Sequence, residues 1–219
     1  MKPNLIHATF IGVALISSTS AFGQQEPQTK GFYLEGSIGR SDFDLKDPIN
    51  WTVEDKDTSW SGVIGYDFTE NLALEGGYRS LGKATAAAAG AFNGTLYGRS
   101  LVGTGSLSLS ADAKGWTLGP RVNVPLNDKF SLFGRAGIFN WETEAKVAIS
   151  AAYTWGGTAY AGNASASKTY TGTDGYWGFG ANYQATPLVG VGVGFTEFKF
   201  GGDIDHKVRS LDLNLKFKF

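Results

Sequence analysis

The sequence predicts an all-β protein, an eight-stranded antiparallel up-and-down β-barrel that spans a membrane. Three observations predict it. Apolar residues recur with a period of two rather than 3.6. Eight such runs are joined by connections that alternate short and long. The composition combines 31 Gly and 14% aromatics with only 18% charged residues in a chain of 219. Few charges and many rings suit a sheet whose outer face meets something other than water. Strand alternation also hides apolar content, which agrees with a mean hydropathy of −0.13.

The first 23 residues differ from the rest. Lys2 gives a positive start, Leu5 to Ile16 form an apolar stretch, and Ala21-Phe22-Gly23 resembles a cleavage site. Residues 1–23 therefore read as a signal peptide and 24–219 as the barrel domain. The apolar stretch is short of the roughly 20 residues that a spanning helix needs. The chain has no Cys, so disulfides, thiolate metal sites and lipoprotein acylation are excluded. A formal charge of −1 argues against a nucleic-acid partner. No cofactor and no metal site are expected.

The runs are Phe32 to Gly39, Trp60 to Asp67, Leu72 to Arg79, Trp116 to Val124, Phe130 to Trp141, Tyr176 to Gln184, Val189 to Phe195, and Leu211 to Phe219. Tight connections centre on Thr69-Glu70-Asn71, Asn127-Asp128-Lys129 and Ala185-Thr186-Pro187. The longer ones cover roughly 42–57, 82–110, 143–172 and 201–207. Three short periplasmic turns and four long extracellular loops are what eight strands give when both termini are periplasmic. The Ala-, Gly-, Ser- and Thr-rich stretches Ala84 to Gly90 and Ala148 to Ser167 read as solvated, mobile loops.

Parity assigns the faces. Leu211, Leu213, Leu215, Phe217 and Phe219 point to lipid, and Asp212, Asn214, Lys216 and Lys218 point inward. Phe32, Phe68, Phe130, Phe217 and Phe219 fall at the turn side, as an interfacial aromatic girdle would. Glu35, Glu75, Arg121 and Arg135 point inward by the same parity. A one-residue slip would move such charges into lipid, at roughly 2–4 kcal/mol for a mid-bilayer Arg. Buried charges are costly unless paired, so these four are expected to form an interior network, acting as a gate or as a plug. Arg40 points outward at the upper end of its strand, where lipopolysaccharide phosphates would lie.

Several segments resemble the transmembrane domain of outer membrane protein A. They are Leu74-Glu75-Gly76-Gly77-Tyr78-Arg79-Ser80-Leu81-Gly82, Gly115 to Trp141 with its Leu118-Gly119-Pro120-Arg121, and Tyr183-Gln184-Ala185-Thr186-Pro187. Lys216-Phe217-Lys218-Phe219 is similar to the C-terminal aromatic signal read by the barrel assembly machinery. The resemblance implies a bacterial outer-membrane location, periplasmic chaperones as partners, and interior salt bridges at Glu75, Arg121 and Arg135. Asn182 and Gly192 stand where that family has a carboxylate and an Arg, and Glu35 is a candidate for the missing carboxylate. The family often adds a peptidoglycan-binding domain after the barrel; with the last strand ending at Phe219, that function is not expected.

The functional expectation is a structural and surface-interaction protein. Its partners would be outer-membrane lipids, lipopolysaccharide, and host or phage ligands at the loops. A narrow channel for ions or small solutes is the alternative. A lipid A-modifying enzyme ranks third, because it needs a His-based site, and the region after residue 23 holds one His, His206, near Asp203, Asp205 and Ser210. The sequons at Asn93 and Asn163 carry no weight in a bacterial protein.

Overall fold

The computed structural model describes residues 30–43, 52–201 and 206–219. The expected signal peptide and the middles of the first and last long connections lie outside the described residues. The strands are β1 (Gly31–Phe43), β2 (Thr52–Glu54), β3 (Lys56–Asp67), β4 (Leu72–Leu96), β5 (Arg99–Pro125), β6 (Phe130–Trp155), β7 (Thr158–Gln184), β8 (Val189–Phe200) and β9 (His206–Lys218). All except β2 form one closed antiparallel ring in chain order, sealed by the β1–β9 pairing. The short β2 adds to β4 at Thr85–Ala87. The eight expected strands are therefore present.

The tight turns show why the chain reverses where it does. Phe68 N–H donates to the Leu72 carbonyl at 2.9 Å, and Thr69 Oγ1 accepts from Asn71 and Leu72 N–H. Asn127 Oδ1 accepts from Lys129 and Phe130 N–H, both at 2.9 Å. Thr186 Oγ1 accepts from Val189 N–H at 3.0 Å. Each turn thus has a short polar side chain satisfying backbone that the ladder cannot reach.

The long connections differ from expectation. Residues 82–110 and 143–172 are strand, broken only by two-residue turns at 97–98 and 156–157, rather than mobile loop. β4 to β7 run 25, 27, 26 and 27 residues, whereas β1, β3, β8 and β9 run 12 or 13. About 9–11 residues cross a bilayer. Half of the barrel therefore stops near the membrane while the other half continues as a four-stranded tongue. Small Ala, Ser, Thr and Gly side chains looked like loop, yet in register they leave a ladder intact from Ala84↔Ala111 to Leu96↔Arg99. Reversals at Tyr97-Gly98 (φ 51° and 75°) and Gly156-Gly157 (φ 56° and 89°) end the two hairpins. Left-handed residues in this pairing match the twist of a two-residue hairpin.

Outside, the girdle residues Phe32, Phe68, Phe130, Phe217 and Phe219 are exposed, as are Ile38, Trp60, Trp116, Val193 and Leu213. This apolar band is the lipid-facing surface. Inside, large side chains fit because glycines face them. A Cβ on Gly65 would strike the Tyr33 ring, and one on Gly180 the Phe133 ring.

Candidate functional site: a sealed lumen and a projecting sheet

The lumen holds successive layers of inward side chains. At the turn side, Lys216 and Lys218 approach Asp67 at 3.6 and 3.5 Å, and the Lys216 ammonium lies 3.4 Å from the centre of the Tyr33 ring. The structure brings all four sequence-predicted charges together in the next layer. Arg121 contacts Glu35 at 2.7 Å and Glu75 at 2.8 Å. Arg135 contacts Glu35 at 2.9 Å and Glu75 at 3.6 Å. Two cations alternate with two carboxylates, so each charge has two opposite neighbours. Tyr33 O–H donates to Glu75 at 2.7 Å, and Arg121 Nε donates to Asn123 at 2.9 Å. The Phe133 ring lies 4.1 Å from the Arg121 guanidinium carbon and 4.7 Å from that of Arg135. Arg121 is wholly buried.

A third layer holds Arg79 on Asp212 at 2.7 Å. Ser59 and Ser210 donate to Asp212 Oδ1 at 2.8 and 2.7 Å. Sequence reasoning missed this pair as a unit, although Asp212 was already inward by parity. Above it, Phe43, Leu81, Phe139, Trp141, Tyr176, Phe198, Phe200 and Val208 form an apolar cluster across the outer mouth. Phe139 packs on Phe198 and Phe200 with ring centres 4.8 and 5.7 Å apart. The alternation that marks a lipid face also lets rings point inward, so parity alone did not reveal this cap. Among the buried interior charges, Glu35, Asp67, Glu75 and Asp212 match Arg79, Arg121, Arg135 and Lys216. The interior is therefore balanced.

Gly192 lies opposite Asn182 on neighbouring strands, and the Asn182 side chain occupies the space a Cβ at 192 would need. Glu35 occupies the position of second carboxylate in the network. His206 begins β9 and stacks on Phe200 at 4.6 Å, and the Ser210 hydroxyl is committed to Asp212. Asp203 and Asp205 lie outside the described residues. No group of three or more metal-ligating side chains occurs among the described residues.

The tongue has two unlike faces. The side continuous with the lumen carries Ala86, Ala88 and Phe92 on β4, and Leu101, Leu107 and Leu109 on β5. It continues with Val147, Ile149 and Tyr153 on β6, and Tyr160, Ala164 and Ala166 on β7. The other side carries Thr104, Ser106, Ser108, Ser110, Glu144, Lys146, Ser150, Ser165 and Ser167. A Ser80/Gly82 irregularity in β4, with Gly82 at φ 78°, shifts that strand's parity so that Ala84 joins the inner face. The tip gathers Tyr97, 90% exposed, with Trp155 donating to the Leu96 carbonyl at 3.1 Å and Arg99 over the Trp155 ring. Beyond its pairing with β8 at Tyr176, β7 has no second neighbour among the described residues from Thr158 to Gly175.

A closed eight-stranded ring with an apolar, aromatic-edged exterior and a charged interior defines a transmembrane β-barrel of the bacterial outer membrane. The chain belongs to the outer membrane protein β-barrel domain family, which matches residues 10–219. Among solved structures it is similar to Ail, the attachment invasion locus protein of Yersinia pestis, at 14% identity over 87% of this chain and 97% of that one, TM-score 0.47. It is also similar to the N-terminal β-barrel domain of Pseudomonas aeruginosa OprF, at 12% identity over 87% and 100%, TM-score 0.44. Pseudomonas aeruginosa OprG gives 11% identity over 86% and 96%, TM-score 0.40. These are likenesses of fold alone. No curated protein sequence matches the chain.

Proposed function

We propose that the barrel is a closed membrane anchor and that the tongue is a surface-interaction module, without enzymatic activity. One observation carries this reading: the lumen holds successive charged and aromatic layers, while four strands continue well past the bilayer. From Arg99 to Asp112, β5 alone provides roughly 45 Å of strand at about 3.3 Å per residue. An eight-stranded barrel is just wide enough for side chains to fill, and here they do. On this reading Glu35, Glu75, Arg121 and Arg135 act as a plug that rigidifies the barrel rather than a gate. Phe217 and Phe219, both lipid-facing at the end of the last strand, serve as the assembly signal. The amphipathic faces, the exposed aromatic tip and the β7 edge, unpaired among the described residues, supply what a protein partner recognises: apolar area and free backbone groups.

The test compares bacteria displaying the full chain with bacteria displaying a variant whose hairpins are shortened, residues 86–109 and 148–165 each replaced by a two-residue Asn-Gly turn. Adherence to epithelial monolayers and settling in suspension are measured at matched outer-membrane levels. Loss of both in the shortened variant is expected. Unchanged adherence and settling would overturn the reading.

A further inference from the structure

We infer that the inner face of the tongue binds the inner face of a second copy of this chain, the two tongues antiparallel and their barrels in facing membranes. The inference rests on the tongue being a surface module and names its partner. From the row Ala84, Ala111, Ala145 and Lys168 to the row Gly94, Leu101, Trp155 and Thr158, this face carries one charged residue, Lys168, at its lower corner. Within it Ile149 is 52% exposed, and Phe92, Leu109, Val147 and Tyr160 are exposed too. A contiguous apolar surface of this kind marks a place where another surface docks. Four strands at about 4.8 Å spacing, and Leu101 to Ala111 at about 3.3 Å per residue, give a face of roughly 19 by 35 Å. Two such faces would bury on the order of 1,300 Å², within the range of a stable interface.

The relief of the face fits it to itself. Rows of residues paired across all four strands alternate in size. One row is a hollow: Gly90, Gly105, Ala151 and Gly162. A Cβ at Gly90 or Gly162 would meet nothing within 4 Å, and one at Gly105 only the Ser150 carbonyl oxygen at 3.7 Å. The next row toward the barrel is a central ridge, Leu107 and Ile149, flanked by Ala88 and Ala164. A two-fold axis between these rows, lying in the interface and perpendicular to the strands, sets each ridge in the other copy's hollow. Leu107 then falls on Gly105, and Ile149 on Ala151. The same operation places Phe92, Tyr153 and Tyr160 on Ala86, Val147 and Ala166. Leu101 and Trp155 near the tip fall on Ala111 and Ala145 near the barrel. At Gly103 the Phe92 ring already leans across, so Leu109 of the second copy meets that ring. Larger residues thus meet smaller ones along the overlap, the self-complementarity that an isologous interface requires.

The relief also selects facing membranes over a shared one. A two-fold axis along the strands would keep both barrels in one membrane, and it superposes equal levels of β5 and β6. Leu107 would then meet Ile149, ridge on ridge, and Gly105 would meet Ala151, hollow on hollow. The antiparallel arrangement avoids both. Packed sheets cross at about 30°, which displaces the ends of a face more than its centre. The rows that interlock, Leu107 with Gly105 and Ile149 with Ala151, are the ones at the axis. Lys168 falls opposite Thr158 at the rim, where its ammonium stays hydrated. Antiparallel tongues put the two barrels at opposite ends of the overlap and hold the membranes roughly 45 Å apart, the length of one tongue strand.

The chain has no Cys, so single cysteines report contacts without background. The test refolds the whole chain into phosphatidylcholine vesicles, one population carrying Gly105→Cys and a second Leu107→Cys. Mixing them with a mild oxidant is expected to give disulfide dimers, whereas two populations of Ser106→Cys, beside the axis but on the other face, should give none. Vesicle clustering, read by light scattering, is the second measurement. Wild type is expected to cluster. Gly105→Leu fits its own chain, and it is expected to weaken clustering on the order of a hundredfold, since each pair would hold the clash twice at roughly a factor of ten each. Adding Leu107→Gly to Gly105→Leu exchanges ridge and hollow together and should restore clustering, which separates the effect from loss of folding. Absence of cross-links between the populations, or clustering by Gly105→Leu equal to wild type, would overturn self-pairing. Cross-links between Leu107→Cys and Ile149→Cys chains within the same vesicles would overturn the facing-membrane arrangement. The adherence assay on shortened hairpins tests the module reading separately: adherence lost there, without self-pairing here, would leave a surface module with a different partner.

Discussion

The same four strands, β4 to β7, do two different things along their length. Inside the barrel their inward side chains meet others across a narrow lumen and are locked there: Glu75, Arg121, Arg135, Phe133 and Phe139 each touch partners from other strands. Beyond the membrane the same face carries Ala88, Leu107, Ile149 and Ala164, with no opposing wall among the described residues. Alternation alone does not distinguish the two regions, because β periodicity specifies a face and not what covers it. Closure of the ring turns one stretch into a sealed core. Where β3 and β8 end, the ring opens and the strands become a surface.

The largest effect that would sharpen this contrast is at the charge network. Arg121→Ala leaves Glu35 and Glu75 with one cation, and breaking a buried pair this way costs about 3–5 kcal/mol. Urea unfolding of the vesicle-inserted protein reads it directly. Phe139→Ala opens the aromatic cap and should cost about 3 kcal/mol by the same measurement, within the usual range for a buried ring. A glycine pair on one strand gives the cleanest internal comparison. Gly180→Ala places a methyl group against the Phe133 ring, and overpacking of this kind costs about 1–3 kcal/mol. Gly162→Ala, on the tongue of the same β7, meets nothing within 4 Å and should change stability by less than about 0.5 kcal/mol in the same titration. A large loss at Gly162 would mean that the tongue face is covered by its own chain after all.

Much of the barrel was legible in the sequence for a physical reason. Lipid outside and a narrow lumen inside impose strict alternation, so Glu35, Glu75, Arg121 and Arg135 could be placed inward from parity, and pairing followed from the cost of burying them alone. The turns around Thr69, Asn127 and Thr186 were legible from the short spacing between alternating runs, and the structure adds that these side chains satisfy local backbone. The tongue was not legible, since strings such as Ala84 to Gly90 have no large apolar residue and, in Thr85, only one of the β-branched residues that mark a strand. Their order comes from registered pairing with distant residues, Ala86 with Leu109 for example. The aromatic cap escaped because Phe198 and Phe200 extend a run that seemed to end at Phe195. Gly90, Gly105, Ala151 and Gly162 become one hollow row only once the register of β4 to β7 is known.

The most direct test of a closed anchor carrying an outward working surface is single-channel recording of the refolded chain in a planar bilayer, with Glu75→Ala beside it. The wild type should be electrically silent, and removal of Glu75 should produce openings by loosening the plug. Discrete conductance steps in the wild type would contradict the account and make the lumen, rather than the tongue, the working part of the molecule.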